Sequence, residues 1–424
     1  MADGFMKYID AISNVFKRSP SKKSLIWSGR NACDVPCYPI KPLDPHVIGA
    51  CTGPLSGLSH IQLDSDGPHD PVPAAGIANW NHPLVEADGI SLSLYDHKAE
   101  AAGRHGDPNA DVYAVIARPN SAILVVADGC NWGPKPRQAA RCAANGSVQH
   151  LNGLLFGSSA PCNTQGVTQV ILESFNSAQM SIVRNGGTTT TLCVAVVCEL
   201  AIPQGDLRWG VCVVSVGDSP CFVWQSKARQ VIEVTSAAHE GQNRDMRDSG
   251  GCLGANVGDK PDLGNLTCSF ALLSEGDIVF VTSDGVADNF DPVTLLEGVA
   301  QPTTPAHSAS PPPVSLPVLT PDQRQAALLA NLARIIECSR SRSKDEFLHA
   351  WEVMEAIVKH IIGVTDCLRS CMESSDFDNP ALTSLERRTK ELEVKEKLKT
   401  MRGKLDHATV AVYEVSCTST NNNT

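Results

Sequence analysis

Aromatic side chains are scarce in this chain, and long hydrophobic runs are absent. Phe, Trp and Tyr make up 5% of the 424 residues, so Val, Ile, Leu and Ala must fill most of the core that the apolar content of 42% allows. No uninterrupted apolar stretch reaches the roughly 20 residues that a transmembrane helix needs. No secretory signal is visible, so we predict a cytoplasmic protein, with the nucleus as an alternative compartment.

Positive charge is also in deficit. The formal net charge is -11 and the sequence pI is about 5.5. Binding to nucleic acid phosphates needs a basic surface, so this balance argues against nucleic acid as a partner. An acidic chain is compatible with a site that holds divalent cations.

Cysteine, in contrast, is plentiful, with 16 residues. Most lie in apolar runs, as Cys193 does, where a free thiol behaves as a small hydrophobic group. The closer pairs Cys33 with Cys37 and Cys367 with Cys371 lack the second pair, or the His residues, of a structural zinc site. We therefore expect free thiols rather than zinc or disulfides.

The first sixteen residues carry an amphipathic helical pattern. Its apolar positions are Phe5, Ile9, Ile12 and Phe16. A basic patch follows at residues 17–23. A helix of this kind could contact a membrane surface or a protein partner. The interpretation we favour is that it docks on the chain's own domain. We predict an N-terminal segment at residues 1–45 and a main domain at 46–424.

Short β-rich runs alternate with turn signals between about residues 90 and 293. The predicted strands are Val112–Ala117, Ala122–Ala127, Thr190–Val197, Gly210–Val216, Cys221–Trp224 and Ile278–Thr282. Helical patterns at Pro136–Leu155 and Thr168–Val183 separate the second strand from the third, and a last strand is predicted at Thr409–Tyr413. This order predicts an α+β fold of antiparallel sheets with helices segregated on the outside.

A long insertion interrupts this pattern at about residues 295–404. It begins with a Pro-rich stretch at 301–321 and continues with helical patterns at 322–363 and 385–404. This character suits the docking of a protein partner. It equally suits a solvated elaboration that covers one sheet edge.

Several predicted strands meet an aspartate at one end. Three strands run into Asp128-Gly129, Gly217-Asp218 and Asp284-Gly285, and two others follow Asp111 and Asp406. Glycine permits a sharp turn and lets the backbone approach a ligand closely. One such junction is an ordinary turn, but five of them predict a cluster of carboxylates.

A cluster of carboxylates suits Mg²⁺ or Mn²⁺, which prefer oxygen ligands. The acids repel one another, so their clustering itself favours bound cations. Two ions held about 3.5–4 Å apart can activate a bridging water for attack on a phosphoester. A globular domain with unrelated aspartates is the alternative at this point.

Six short motifs add to this pattern. They are Asn109-Ala110-Asp111, the strand ending in Asp128-Gly129, Gly186-Gly187-Thr188-Thr189, Val216-Gly217-Asp218-Ser219, Thr282-Ser283-Asp284-Gly285 with Asp288, and Asp406-His407-Ala408-Thr409. In this order they resemble the metal-dependent protein phosphatase family, the type 2C serine/threonine phosphatases. The resemblance implies a four-layer α-β-β-α sandwich of two antiparallel sheets flanked by helices.

The resemblance also implies a two-ion site and a phosphoprotein substrate. The residues matching the family's metal and catalytic positions are Asp111, Asp128, Gly129 through its carbonyl, Asp284 and Asp406. Asp128 would bridge two Mg²⁺ or Mn²⁺ ions, while Asp218 and Asp288 would hold a third, weaker ion. A metal-bridged water would then hydrolyse phosphoserine or phosphothreonine esters.

Three departures from the family pattern leave a second hypothesis open. Gly106 stands where the family often carries a phosphate-gripping Arg, Ala110 where it carries Glu, and Cys130 where it carries a His proposed as general acid. The arginines that could substitute are Arg184, Arg244 and Arg247, whereas Arg104 and His105 are close but out of register. The alternative to a metal-dependent phosphatase is therefore a catalytically impaired pseudophosphatase that acts as a binding or regulatory protein.

Overall fold

The computed structural model describes residues 26–52, 58, 74–98, 103–238, 245–255, 259–296, 319–340, 348–374 and 382–416. The helix predicted within the first sixteen residues lies outside the described residues. The same holds for residues 301–318 of the Pro-rich stretch.

Strands dominate the part of the chain between the N-terminal segment and the insertion. They are β1 (Ile26–Gly29), β2 (Gly49–Cys51), β3 (Asn81–His82), β4 (Ala87–Ser93), β5 (Asp111–Arg118), β6 (Ser121–Asp128), β7 (Thr189–Thr190), β8 (Leu192–Gln204), β9 (Leu207–Val216), β10 (Cys221–Gln225), β11 (Gln230–Glu233), β12 (Leu253–Gly254), β13 (Thr267–Ser274), β14 (Ile278–Thr282) and β15 (His407–Glu414). The larger sheet has the order β1-β13-β9-β8-β6-β5-β2-β3, the second β11-β10-β14-β15-β4, and β12 pairs with β7. The strand pairs in both large sheets are antiparallel.

Helices connect the sheets and cover their outer faces. They are α1 (Pro134–Leu154), α2 (Thr164–Arg184), α3 (Asp284–Ala287), α4 (Pro321–Arg340), α5 (Ala350–Glu373) and α6 (Ser384–Leu398). α1 begins with proline, whose fixed φ suits a first helical position. The Asn163 side chain caps α2 by accepting from the Gly166 N–H.

Apolar side chains form three layers of core. One lies between the larger sheet and α1 and α2, and includes Phe175. A second lies between the two sheets and includes Trp209. The third, with Phe280 and Ile357, lies between the second sheet and α4 and α5. The molecule is therefore the four-layer α-β-β-α sandwich, and the predicted fold class is confirmed.

The strand predictions are confirmed, but the longer strands β13 and β4 and the short strands β1, β2, β3, β11 and β12 were missed. β13 (Thr267–Ser274) is buried along its whole length, so its sequence shows no alternation between apolar and polar residues. β4 (Ala87–Ser93) falls at the end of a stretch read as irregular, where Asp88 and Gly89 hide the strand pattern. Both strands complete sheets through pairing with distant segments, which a local pattern does not reveal.

The predicted insertion contributes to two different environments. α4 and α5 pack on the second sheet and supply buried residues such as Leu332 and Ile357. α6 has no buried residue, and Leu385 and Leu392 on it are exposed. No described helix is long and apolar enough to cross a membrane. β1 lies before residue 46 and joins the larger sheet, while the domain boundaries stay predictions.

Candidate metal centre

Asp111 and Asp128 lie side by side at one end of the larger sheet. Asp111 opens β5, Asp128 closes β6, and the two residues are direct partners in the antiparallel ladder. Because β5 and β6 are buried along almost their whole length, the register of their pairing is fixed. Asp111 is itself buried, with 1% exposure.

Asp284 and Asp406 lie side by side at the matching end of the second sheet. Asp284 follows β14 after one residue and Asp406 directly precedes β15, and these strands pair antiparallel. The turn is held by the Ser283 N–H donating to the Thr409 carbonyl at 3.0 Å and by the Thr409 N–H donating to Ser283 Oγ at 2.9 Å. The ladder therefore fixes where both carboxylates leave the sheet.

The two pairs of acids meet between the sheets. Thr409 Oγ1 donates to Asp111 Oδ2 at 2.9 Å and so joins the second sheet to the first. Burial raises the pKa of Asp128 well above its usual range, and the charges of Asp111, Asp284 and Asp406 raise it further. The four aspartates singled out from the sequence thus form one electrostatic cluster.

Burial dominates the charge state of this cluster. It raises the pKa of Asp111 to about 7, although hydrogen bonds from Ser283 and Thr409 act in the opposite direction. Burial likewise raises the pKa of Asp406 to about 6, helped by Asp284 and opposed by Lys404. Without a bound cation, full ionisation of these carboxyls is unfavourable at neutral pH.

Gly129 sits where only a glycine fits. A Cβ at this position would lie 2.5 Å from the Pro136 carbonyl oxygen, at the start of α1. The preceding backbone is held at both ends, because the Asp128 N–H donates to Thr191 Oγ1 at 3.1 Å and the Asp128 carbonyl accepts from Thr190 Oγ1 at 2.8 Å. The Asp-Gly turn is therefore rigid.

The two outer acids lie in different surroundings. Asp218 sits in the turn between β9 and β10, and its charge contributes to raising the pKa of Asp128. It lines a groove together with Asn265 and Arg324. Asp288 is almost fully buried and its Oδ2 accepts from Lys404 Nζ at 2.8 Å. The metal-binding roles of these residues stay predictions.

Lys404 enters the cluster and was missed from the sequence. Its Nζ lies 2.6 Å from Asp284 Oδ2 and 2.9 Å from Asp406 Oδ2, besides the contact with Asp288. Burial lowers the pKa of this ammonium, but the three carboxylates outweigh it and raise the pKa overall. The mixed-charge pattern at residues 385–404 hid this residue; its place two positions before Asp406 was the available signal.

The place where the family carries an arginine is closed by aromatic rings. Gly106 has a φ of +83°, and a Cβ there would lie 2.6 Å from Tyr95 Cδ2 and 3.3 Å from His407 Nε2. Tyr95 is held in position, because its hydroxyl donates to Asp406 Oδ1 at 3.0 Å and accepts from Trp132 Nε1 at 2.8 Å. A longer side chain at residue 106 has no room on this side.

The arginines considered as substitutes lie elsewhere or outside the described residues. Arg247 is highly exposed and pairs with Asp245 at 2.9 Å. Arg184 lines a groove formed by α1 and α2, and Arg244 is outside the described residues. Arg104 donates to the Tyr95 backbone carbonyl. Within the part of the chain that the structure describes, the acid cluster is not contacted by Arg104, Arg184 or Arg247.

Cys130 stands where the family carries a histidine, and its thiol is hydrogen-bonded to another cysteine. Cys130 follows the Asp-Gly turn and hydrogen-bonds to the Cys252 thiol, which raises the pKa of Cys130 together with burial. Cys252 precedes β12, whose pairing with β7 brings it to the same place. Cys130 is thus a protonated thiol at neutral pH and a poor replacement for a histidine acid.

The two pairs of acids differ in how many of their oxygens are free to bind a cation. Asp111 Oδ1 is buried and has no hydrogen-bond partner, which leaves one hard oxygen ligand available. On the other half, Lys404 already contacts an oxygen of Asp284, Asp288 and Asp406. Within the described ranges, no group of three ligand side chains is arranged to hold a metal. The donor oxygens therefore suit a divalent cation better at Asp111 and Asp128 than at the acids that Lys404 engages.

Comparison with known proteins agrees with the motifs. No family model matches the chain. A curated relative, the PP2C-like domain-containing protein CG9801 of Drosophila melanogaster, is 42% identical over 236 residues, which cover 54% of this chain and 33% of that protein. Over those residues this chain is similar to a PP2C-like domain-containing protein. The match spans about a third of the relative's length.

Solved structures superpose only loosely on this chain. A phosphatase from a pathogenic strain of Toxoplasma gondii gives a TM-score of 0.41 at 10% identity, covering 78% of this chain and 93% of that one. The RsbU and RsbW domains of Rv1364c from Mycobacterium tuberculosis give a TM-score of 0.37 at 13% identity, covering 79% and 62%. Overlaps this low say nothing about the activity of this chain.

Proposed function

We propose that this PP2C-like domain is a catalytically impaired pseudophosphatase that acts as a binding or regulatory protein. The observation that carries this proposal is the closed position at Gly106. A Cβ at residue 106, where the family often carries a phosphate-gripping arginine, would collide with the Tyr95 ring and lie close to His407.

Loss of that arginine removes a strong contact to the transferred phosphoryl group. A guanidinium binds phosphate oxygens through two parallel, charge-assisted hydrogen bonds, and a lysine or an amide does not reproduce them. Loss of a general acid costs a further factor of about 10²–10⁴ in rate. Cys130 does not supply that acid, because its thiol is engaged with Cys252 and its pKa is raised.

A pseudophosphatase can still bind protein partners through its exposed surface. α6 of the insertion has no buried residue, and two leucines on it, Leu385 and Leu392, face solvent. These features support the docking of a protein partner through residues 295–404. A phosphoprotein is the second kind of partner that the fold suggests. Location in the cytoplasm, or in the nucleus, is also part of the proposal.

The second candidate function is a metal-dependent serine/threonine protein phosphatase. The unpartnered Asp111 Oδ1 and the raised pKa values of Asp111 and Asp128 favour it, because such carboxylates gain most from a bound cation. Bound Mg²⁺ or Mn²⁺ would supply a water of lowered pKa as the nucleophile. The chain's own part would be to orient Asp111 through Thr409 and to hold the Asp128-Gly129 turn rigid.

Turnover separates the two candidates. The purified chain is assayed on an aryl phosphate and on a phosphothreonine peptide, with Mn²⁺, with Mg²⁺ and with chelator. Asp284→Asn serves as the matched variant, since it keeps the size of the side chain and removes its charge. We expect the chain and Asp284→Asn to give the same background rate under all three conditions.

Metal-dependent turnover that Asp284→Asn abolishes would refute the pseudophosphatase proposal and establish the second candidate. In that case a bias towards the aryl phosphate is expected, because an aryl oxide leaves without the help of a general acid. Circular dichroism of both proteins guards against a folding defect being read as lost activity.

A further inference from the structure

Lys404 lies among three carboxylates of the acid cluster. Its Nζ lies 2.6 Å from Asp284 Oδ2, 2.8 Å from Asp288 Oδ2 and 2.9 Å from Asp406 Oδ2. It also donates to the Met246 carbonyl at 3.2 Å. Four oxygens from four separate positions in the chain therefore surround one ammonium group, which has three protons to donate.

The backbone of Lys404 is held by a buried amide. The Lys404 N–H donates to Asn289 Oδ1 at 2.8 Å, and Asn289 Nδ2 donates back to the Lys404 carbonyl at 3.0 Å. Asn289 is fully buried and also donates to the Gly285 carbonyl at 2.7 Å, next to Asp284. The lysine is thus fixed relative to the acids that it contacts, rather than being a surface chain that folds over them.

The charges favour the lysine and disfavour a second cation there. An ammonium compensates part of the charge of three carboxylates that burial would otherwise penalise. A divalent ion on the same oxygens would lie within a few ångströms of a fixed positive charge and would be repelled. Mg²⁺ also needs oxygens at about 2.0–2.1 Å in near-octahedral geometry, which these engaged carboxylates do not offer.

The opposite half of the cluster has no such occupant. Among the described residues, the acids that Lys404 contacts are Asp284, Asp288 and Asp406. On the other half, Asp111 Oδ1 is buried without a hydrogen-bond partner. The other oxygen, Asp111 Oδ2, accepts from Thr409 Oγ1 at 2.9 Å. The cluster is therefore neutralised by protein on one side and open to a cation on the other.

We propose that Lys404 is a tethered cation that replaces one metal ion, so that the chain binds a single divalent ion at Asp111 and Asp128. This inference deepens the proposed function, on which it rests, by naming the residue that removes the two-ion arrangement. Lys404 would limit the number of bound ions, because its ammonium group already lies among three of the carboxylates.

The test counts bound Mn²⁺ by calorimetry and by electron paramagnetic resonance. The wild-type chain is compared with Lys404→Met, which keeps the length of the side chain without its charge. Lys399→Met is the control, because Lys399 lies in the same segment, is 68% exposed and pairs only with a neighbour on its own helix end, Glu396. We expect about one Mn²⁺ for the wild type and for Lys399→Met, and about two for Lys404→Met.

Thermal melting in chelator gives an independent readout. Lys404→Met should melt several degrees below the wild type, since three buried carboxylates lose their counter-charge. Mn²⁺ should restore most of that loss in Lys404→Met and should shift the wild type less. Equal melting of the two proteins, both in chelator and in Mn²⁺, would overturn the inference.

The wild-type stoichiometry decides the question even if Lys404→Met does not fold. Two ions per wild-type chain, or none, would overturn the inference, and Lys404→Gln provides a second uncharged variant that keeps a hydrogen-bond donor. Because ion counting does not depend on turnover, the two proposals fail separately. One bound ion together with metal-dependent turnover refutes only the pseudophosphatase proposal, whereas two bound ions without turnover refute only the role of Lys404.

Discussion

A methyl group added at Gly106 tests whether the arginine position of the family is closed. Gly106 has a φ of +83°, and an added Cβ would lie 2.6 Å from Tyr95 Cδ2 and 2.8 Å from Tyr95 Cε2. The ring cannot swing aside without losing the hydrogen bonds of its hydroxyl to Asp406 and Trp132. Gly106→Ala should therefore destabilise the chain through both backbone strain and collision.

A matched glycine separates these two contributions. Gly205, in the turn between β8 and β9, has a φ of +68°, and a Cβ there would meet no atom within 4 Å. Gly205→Ala should cost about 1 kcal/mol from the left-handed backbone alone. Gly106→Ala adds the cost of overpacking, typically about 1–3 kcal/mol, for a total of roughly 2–4 kcal/mol.

The assay is urea unfolding of the metal-free chain, followed by circular dichroism, for wild type and both glycine variants. Tyr95→Ala completes a double-mutant cycle with Gly106→Ala, and the collision term should largely disappear when the ring is absent. Equal destabilisation by Gly106→Ala and Gly205→Ala would show that residue 106 has room for a side chain. The main support for a pseudophosphatase would then be lost.

Three further outcomes are expected. In chelator, the raised pKa of Asp111, about 7 against an ordinary 3.8, makes the folded state keep a proton that the unfolded state releases. The free energy of unfolding should therefore fall as pH rises from about 4 to 7. Asp111→Asn should make the melting temperature less dependent on pH over this range, and an unchanged dependence would contradict the raised pKa of Asp111. Thr409→Val should lower the free energy of unfolding by about 1–3 kcal/mol by removing a donor to Asp111 Oδ2, whereas Thr409→Ser, which keeps the hydroxyl, should not. On the insertion, Ile357→Ala in α5 should cost about 2–5 kcal/mol and Leu392→Ala in α6 no more than about 0.5 kcal/mol, as read from urea unfolding; similar costs for both would contradict the packing described.

The class of fold and the main acids of the site could be predicted from the pattern of residues along the chain. Runs such as Val112–Ala117 and Ala122–Ala127 are apolar on both faces, so they read as buried strands without any knowledge of their partners. The aspartates at their ends could be named because a charged residue beside such a strand stands out. The missing arginine and histidine, at Gly106 and Cys130, were equally visible as departures from a family pattern.

The surroundings of those acids, in contrast, became known from the three-dimensional arrangement of the chain. The contacts of Lys404 with Asp284, Asp288 and Asp406 join positions up to 120 residues apart, and the ring of Tyr95 fills the space beside Gly106 from a strand end that no local pattern marks. A pattern of residues records propensity and periodicity along the chain. Which charge is neutralised, and which space is filled, depends on side chains that sheet pairing brings together from distant parts of the chain.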